Sequence, residues 1–298
     1  EVERVLAPAR RQLLEVRERR VKPQRDDKIL TSWNGLMISG LVDAYQTLGL
    51  PAYLSVAEKA LAFLLDHAYQ NGRLFRTVTD GVGRLNGYLD DYAFLAAALI
   101  DTFEATSNPT YLDKACELTE VMMEQFWDEQ TGGCFFTGKD HEPLIQRMKS
   151  GTDSAIPSGN AVAAMNGLRL FFYTGEQHYF DRAEQTLRLF RNQMDQNAYG
   201  SAAMLCALDF YLAKPKEIVL VGRKTDPGMQ DLLRQIHGRY VPNKTLMVVD
   251  GTEEVGSVHV AAIARDKTAL DGKPTAYVCH NFACSQPVTD WAGLETLL

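Results

Sequence analysis

The sequence predicts a mainly α protein, a partial (α/α)6 toroid of helical hairpins with a small C-terminal α/β appendage. Three observations carry this prediction. An aromatic residue, an apolar neighbour and, three positions further on, an Ala recur at Tyr53/Leu54/Ala57, Tyr111/Leu112/Ala115 and Tyr179/Phe180/Ala183. The recurrence is roughly every 60 residues, the period of a repeated supersecondary unit rather than of a single helix. A more apolar helix precedes each copy, over 33–48, 92–106 and 160–173. The runs 93–100 and 161–172 are apolar on nearly every side, which predicts burial all round. Past Pro215 the period changes, and β-branched runs replace helical patterns.

The elements follow in order. Residues 1–20 read as an amphipathic helix, with Val5, Leu6, Leu13, Leu14 and Val16 among charges, and Pro23 ends it. The stretch 25–35, R-D-D-K-I-L-T-S-W-N-G, then leads into the first inner helix. Gly49 and Pro51 break that helix, and an outer helix covers 53–69. After the first two outer helices a Gly is followed by aromatics (Gly72 and Phe75; Gly133, Phe135 and Phe136), which predicts short hairpin strands in long loops. A fourth buried helix is expected over 199–212. Such hairpins cannot bury their inner faces alone, so they stack, and closure into a ring brings the inner-helix starts to one end. About eight helices are legible where a full ring needs twelve. The expected division is 1–213, a ring lacking its first hairpins, and 214–298, a small α/β domain. Its strands are predicted at 217–222, 244–249 and 276–279, with helices at 228–237 and 289–298. The incomplete ring predicts exposed apolar edges that are open to partner contacts, including a second copy of the chain.

Composition narrows the function classes. The net charge is −7, and the basic patch Arg17, Arg19, Arg20, Lys22 and Arg25 is local, so a nucleic-acid surface is not expected. No apolar stretch reaches the roughly 18–20 residues of a membrane span. No signal peptide is visible, and the chain opens at Glu1 inside a helical pattern, as a piece of a longer protein would. Five scattered Cys suggest a reducing, cytoplasmic setting. Cys279 and Cys284, with His280 between them, do not make a usual zinc set and are expected as structural thiols. No phosphate-binding Gly-rich loop is present, so neither cofactor nor metal is expected.

Polar groups crowd the inner-helix starts. Asp26, Asp27, Asp90, Asp91 and Asp153 either cap helices or face one another across the funnel. In each adjacent Asp pair one member can cap while the other points inward. Asp27, Asp91 and Asp153 are the expected acid/base groups. Their convergence within about 10 Å would suit glycoside hydrolysis, which needs a carboxyl pair. Trp33 and Tyr92 open inner helices and could stack on a sugar ring. Asn34 and Asn160 could read hydroxyls, and Arg25 and Arg147 could hold an anionic group.

Four segments together resemble one family. They are R-D-D-K-I-L-T-S-W-N-G-L-M-I from Arg25, L-D-D-Y-A-F at 89–94, P-S-G-N at 157–160 and C-H-N-F-A-C-S-Q-P-V-T-D at 279–290. The chain resembles the C-terminal part of the spermatogenesis-associated, thioredoxin-domain-containing proteins (bacterial YyaL-type). The resemblance implies a six-hairpin toroid similar to N-acylglucosamine 2-epimerases and six-hairpin glycosidases, and hence a carbohydrate-like ligand. It also implies a thioredoxin-like part outside this chain, which leaves a non-catalytic scaffold serving a redox domain as the alternative. An epimerase would need a His pair, and of the six His only His141 lies in a funnel loop.

Overall fold

A computed structural model describes residues 2–250, 265–281 and 283–298. His259 and Phe282 lie outside the described residues. The inner helices of the ring are α2 (Thr31–Leu48), α4 (Leu89–Thr106), α6 (Gly159–Thr174) and α9 (Ala202–Ala213). The outer ones are α3 (Pro51–His67), α5 (Pro109–Phe126) and α7 (Gln177–Leu189), the last continued by the short α8 (Arg191–Gln196). Each inner helix packs on the next, α2 on α4, α4 on α6 and α6 on α9, and each outer helix packs on its own inner helix. The result is an arc of an (α/α)6 toroid, as the period predicted.

The repeat has a physical basis at each corner. The backbone N–H groups of Tyr53, Tyr111 and Tyr179 donate to the carbonyls of Leu50, Asn108 and Glu176, closing the same turn three times. The recurrent Ala57, Ala115 and Ala183 are all buried, as a small residue must be where outer and inner helices meet. Inner helices end on left-handed residues at Gly49, Ser107 and Gly175, which close the last turn. Gly35 marks the tightest approach in the arc. A Cβ there would lie 2.8 Å from the backbone carbon of Phe94, so α2 and α4 could not keep their contact. Gly35→Ala is expected to cost about 1–3 kcal/mol of stability, the usual range for overpacking, read as a lower midpoint in denaturant unfolding.

Three predicted elements differ. The first helix, α1 (Val2–Glu18), forms but buries no residue, because no described element covers its apolar stripe. The first hairpin is present as β3 (Arg73–Thr79) and β4 (Val82–Asn86), antiparallel. It also pairs with β1 (Ile29–Leu30) and β2 (Tyr69–Gln70). The second hairpin is reduced to a single bridge between Trp127 and Cys134. Side chains organise that loop instead: the Arg147 Nε donates to the Thr137 carbonyl, and Lys149 Nζ bonds Asp128 at 2.7 Å and the Gly132 carbonyl. The C-terminal helix is short, Trp291–Glu295 (α11), with Asp290 capping Gly293 N–H.

The appendage is a four-stranded sheet: β5 (Lys216–Val221), β6 (Lys244–Val249), β7 (Thr275–His280) and β8 (Ala283–Cys284), in the order β6-β5-β7-β8. β5 and β6 are parallel and joined through α10 (Pro227–His237); β7 and β8 are antiparallel additions. Period 2 divides its faces. Ile218 and Leu220 pack with Met229, Leu232 and Ile236 of α10, whereas Val219, Val221 and Met247 join the core of the ring. Cys279 and Cys284 are joined as a disulfide, which corrects the expectation of two structural thiols. They face each other across β7 and β8, and β-pairing is what brings them together. Cys116 and Cys134 are free and buried.

Candidate functional site at the inner-helix starts

The inner helices begin at one end of the arc, and there the predicted site residues divide into those spent on backbone and those left free. Asp91 is fully buried. Its Oδ2 accepts Tyr88 N–H at 2.9 Å, capping the start of α4, and its Oδ1 accepts Ser32 N–H at 3.0 Å on α2. One carboxylate thus ties two neighbouring helix starts. Asp153 repeats the device, accepting Ser158 N–H and Ala203 N–H, each at 2.8 Å, and so ties α6 to α9. Asn160 is buried and donates to the carbonyls of Cys134 and Ser150 while accepting Cys134 N–H at 2.7 Å. Tyr92 is also in the core. Its hydroxyl accepts Leu74 N–H and its ring packs on Phe126, so no face is open to a ligand. Arg147 is consumed by the Thr137 and Gln125 carbonyls and lies over the Phe135 ring.

The other member of the Asp pair is differently placed. Asp90 is half-buried at the start of α4 and accepts the backbone N–H of Gly159, the first residue of α6. Burial and the neighbouring Asp91 push its carboxyl up to about 6, with Arg76 and the Gly159 bond opposing. Burial likewise raises Asp91. Gly159 has to be glycine for this arrangement, because a Cβ would fall 2.4 Å from Asp90 Oδ1. Arg76 on β3 lies 4.0 Å from Asp91 Oδ2 with its guanidinium over the Tyr88 ring. Tyr88 stacks on Phe136 and meets His141, whose Nδ1 accepts Gly138 N–H. Gly159→Ala is expected to push the Asp90 carboxylate out toward solvent. Losing its burial, the largest cause of the rise, then outweighs losing the Gly159 bond, and its titration, followed by carboxyl NMR, should fall back toward the ordinary Asp range near 4.

A cleft of about 580 Å³ opens beside the start of α2, lined by Asp26, Lys28, Ile29, Leu30, Trp33, Asn34, Ala60 and Phe63. Trp33 is 62% exposed. The Asn34 amide donates to the Leu30 carbonyl at 2.8 Å. Lys28 lowers the Asp26 carboxyl through a hydrogen bond. Arg25 and Asp27 pair with each other at the surface. Of the expected residues, the cleft gathers Trp33 and Asn34 and touches none of Asp27, Asp91 and Asp153. Among the described residues no cluster of His, Cys, Asp and Glu could hold a metal ion. No helix among them is long and apolar enough to cross a membrane.

The family model of glycosyl hydrolase family 76 matches residues 18–201, well over half of the chain. The chain belongs to this family. The family 76 match covers the arc and stops at the start of α9, so the C-terminal sheet lies outside it. Human spermatogenesis-associated protein 20 is 34% identical over 96% of this chain and 38% of its own length. The uncharacterized protein B0495.5 of Caenorhabditis elegans is 29% identical over the whole chain and 41% of its own. The chain therefore spans about two fifths of these relatives. Among solved structures, the α-mannanase BT2949 of Bacteroides thetaiotaomicron superposes with a TM-score of 0.53 at 18% identity, over 73% of this chain and 58% of that one. That likeness supports the toroid fold.

Sequence reasoning placed Asp90 at an inner-helix start but favoured its neighbour. The one signal for the swap is the place of Asp91 three residues after the helix-start Tyr88, from which its carboxylate reaches back to the Tyr88 N–H. Arg76 carried no signal, since it sits on a strand whose partner face is defined only by pairing to β1 and β4.

Proposed function

We propose that this family 76 chain binds a carbohydrate at the inner-helix starts and acts on it by acid/base chemistry, with Asp90 as the proton donor. The observation that carries the reading is a half-buried carboxyl raised to about 6 between two helix starts. A general acid has to be protonated near the working pH, and burial is the usual means of achieving this in a carboxyl. Asp26, held ionised by Lys28, is the opposite case and supplies an anionic carboxylate at the cleft. Trp33 offers the open aromatic face that a sugar ring stacks on, with Asn34 beside it. Asp91 and Asp153 position the helix starts rather than touch the ligand.

The test is a panel of oligosaccharides that includes α-linked mannans, with hydrolysis followed by reducing-end release and binding by calorimetry. Trp33→Ala is expected to weaken binding about 10-fold or more, in line with about 1.4 kcal/mol per tenfold. Binding of no sugar by the chain would sink the proposal. A second reading, a ring that binds without catalysing, is favoured by the complete use of Asp91 and Asp153 as helix ties. It predicts sugar binding with no product in the same panel.

A further inference from the structure

The β7–β8 hairpin carries chemistry that the ring does not use. Cys279 and Cys284 are bonded to each other and are direct partners across the two strands. Cys279 is 4% exposed, whereas Cys284 lies open at the sheet edge. On its other side Cys279 is the direct partner of Glu217 on the central strand β5. Residues opposed in antiparallel pairs project to the same face, so Glu217, Cys279 and Cys284 form one row across three strands.

Glu217 is the odd member of that strand. It is 7% exposed, and its Oε1 makes no hydrogen bond. A buried carboxyl oxygen without a partner costs stability, and no helix start or turn draws on it, unlike Asp91 and Asp153. Burial pushes its carboxyl up to about 7, with Lys267 and His280 the two charges that oppose the rise. A carboxyl in that state can hand over or take back a proton at neutral pH.

We propose that Cys279–Cys284 is a thiol–disulfide exchange site at which Glu217 protonates the buried Cys279 sulfur and an external dithiol is the reductant. One thiolate of the dithiol attacks the exposed Cys284 sulfur, forming a mixed disulfide and breaking the Cys279–Cys284 bond. The electron pair leaves on Cys279, and the Glu217 carboxyl supplies its proton. The second thiolate of the dithiol then attacks the mixed disulfide. It releases Cys284 as a thiolate, which takes its proton from water, and leaves the reductant as a disulfide. The protein gains two electrons, and the dithiol loses two.

The experiment uses the whole chain with dithiothreitol as the dithiol, at pH values from 6 to 9. Samples are acid-quenched, alkylated and mapped by peptide mass. The expected result is that Cys279 and Cys284 become alkylated while Cys116 and Cys134 remain protected, and that oxidised dithiothreitol restores the bond. Glu217→Gln is expected to slow the reduction about 10²-fold at pH 6–7, the low end of general-acid effects, with the gap narrowing by pH 9. Glu217→Asp, which keeps a titrating carboxyl, should recover most of the rate. Opening of the disulfide only together with exposure of Cys116 and Cys134 overturns the proposal. So does a rate–pH profile for Glu217→Gln that superimposes on the wild type.

Discussion

Asp90→Asn is expected to lose hydrolytic activity by about 10²–10⁴-fold, the usual contribution of a general acid, while melting at a higher temperature than the wild type at pH 7. The two halves of this result share one cause. The Asp90 carboxyl is raised in the folded state to about 6 from an unfolded value of 3.8. A raised carboxyl stabilises the fold when protonated, so its contribution is complete below pH 3.8 and lost as the pH rises through about 6. At pH 7 the wild type therefore carries an ionised group that its surroundings disfavour. Asn removes the charge and can still accept the Gly159 N–H. The melting advantage should shrink as the pH falls from 7 toward 4. Scanning calorimetry at the two pH values checks it. An advantage of equal size at both would show that Asp90 titrates as an ordinary surface carboxyl, and the proton-donor role would go with it.

The second large effect is expected away from the inner-helix starts. Arg169 on α6 bonds Asp101 at 2.7 Å and Glu104 at 3.0 Å on α4, with its side chain only 13% exposed. The Tyr173 hydroxyl donates to Glu104 and accepts the N–H of Leu246 on β6. Asp43 on α2 faces the same group, its carboxyl raised by burial and by Asp101. One guanidinium thus neutralises carboxylates that join α4 to α6 and, through Tyr173, to the C-terminal sheet. Arg169→Met fills the volume but leaves buried acids without a cation. The expected loss is about 3–5 kcal/mol, as for other broken buried pairs. Denaturant unfolding at pH 7 reads it. A loss below about 1 kcal/mol would place the cluster with exposed ion pairs.

What could be read along the chain was whatever repeats or alternates. Tyr53, Tyr111 and Tyr179 close identical turns because helix–turn–helix geometry is local, and local geometry is written in consecutive residues. The β-branched run of β5 was legible for the same reason. The hairpin expected at Gly133 did not form because that loop answers to Asn160 and Arg147, residues 10 or more positions away that bond its carbonyls. The site was half legible. Trp33 and Asn34 do line a cleft, but Tyr92 is as aromatic and as close to a helix start and is buried.

The sequence by itself determined the helical hairpins, their order and the polar character of the inner-helix starts, since periodicity and capping act over a few residues. Only the tertiary structure decided what each carboxylate of a pair meets. Asp90 and Asp91 are chemically identical neighbours. Asp91 reaches Ser32 of another hairpin, and Asp90 meets the start of a third. The same holds for Glu217, whose neighbour across the sheet is a cysteine 62 positions away by strand pairing alone. Burial and partnership are properties of the packed chain, and they are what set the protonation state of each of these groups.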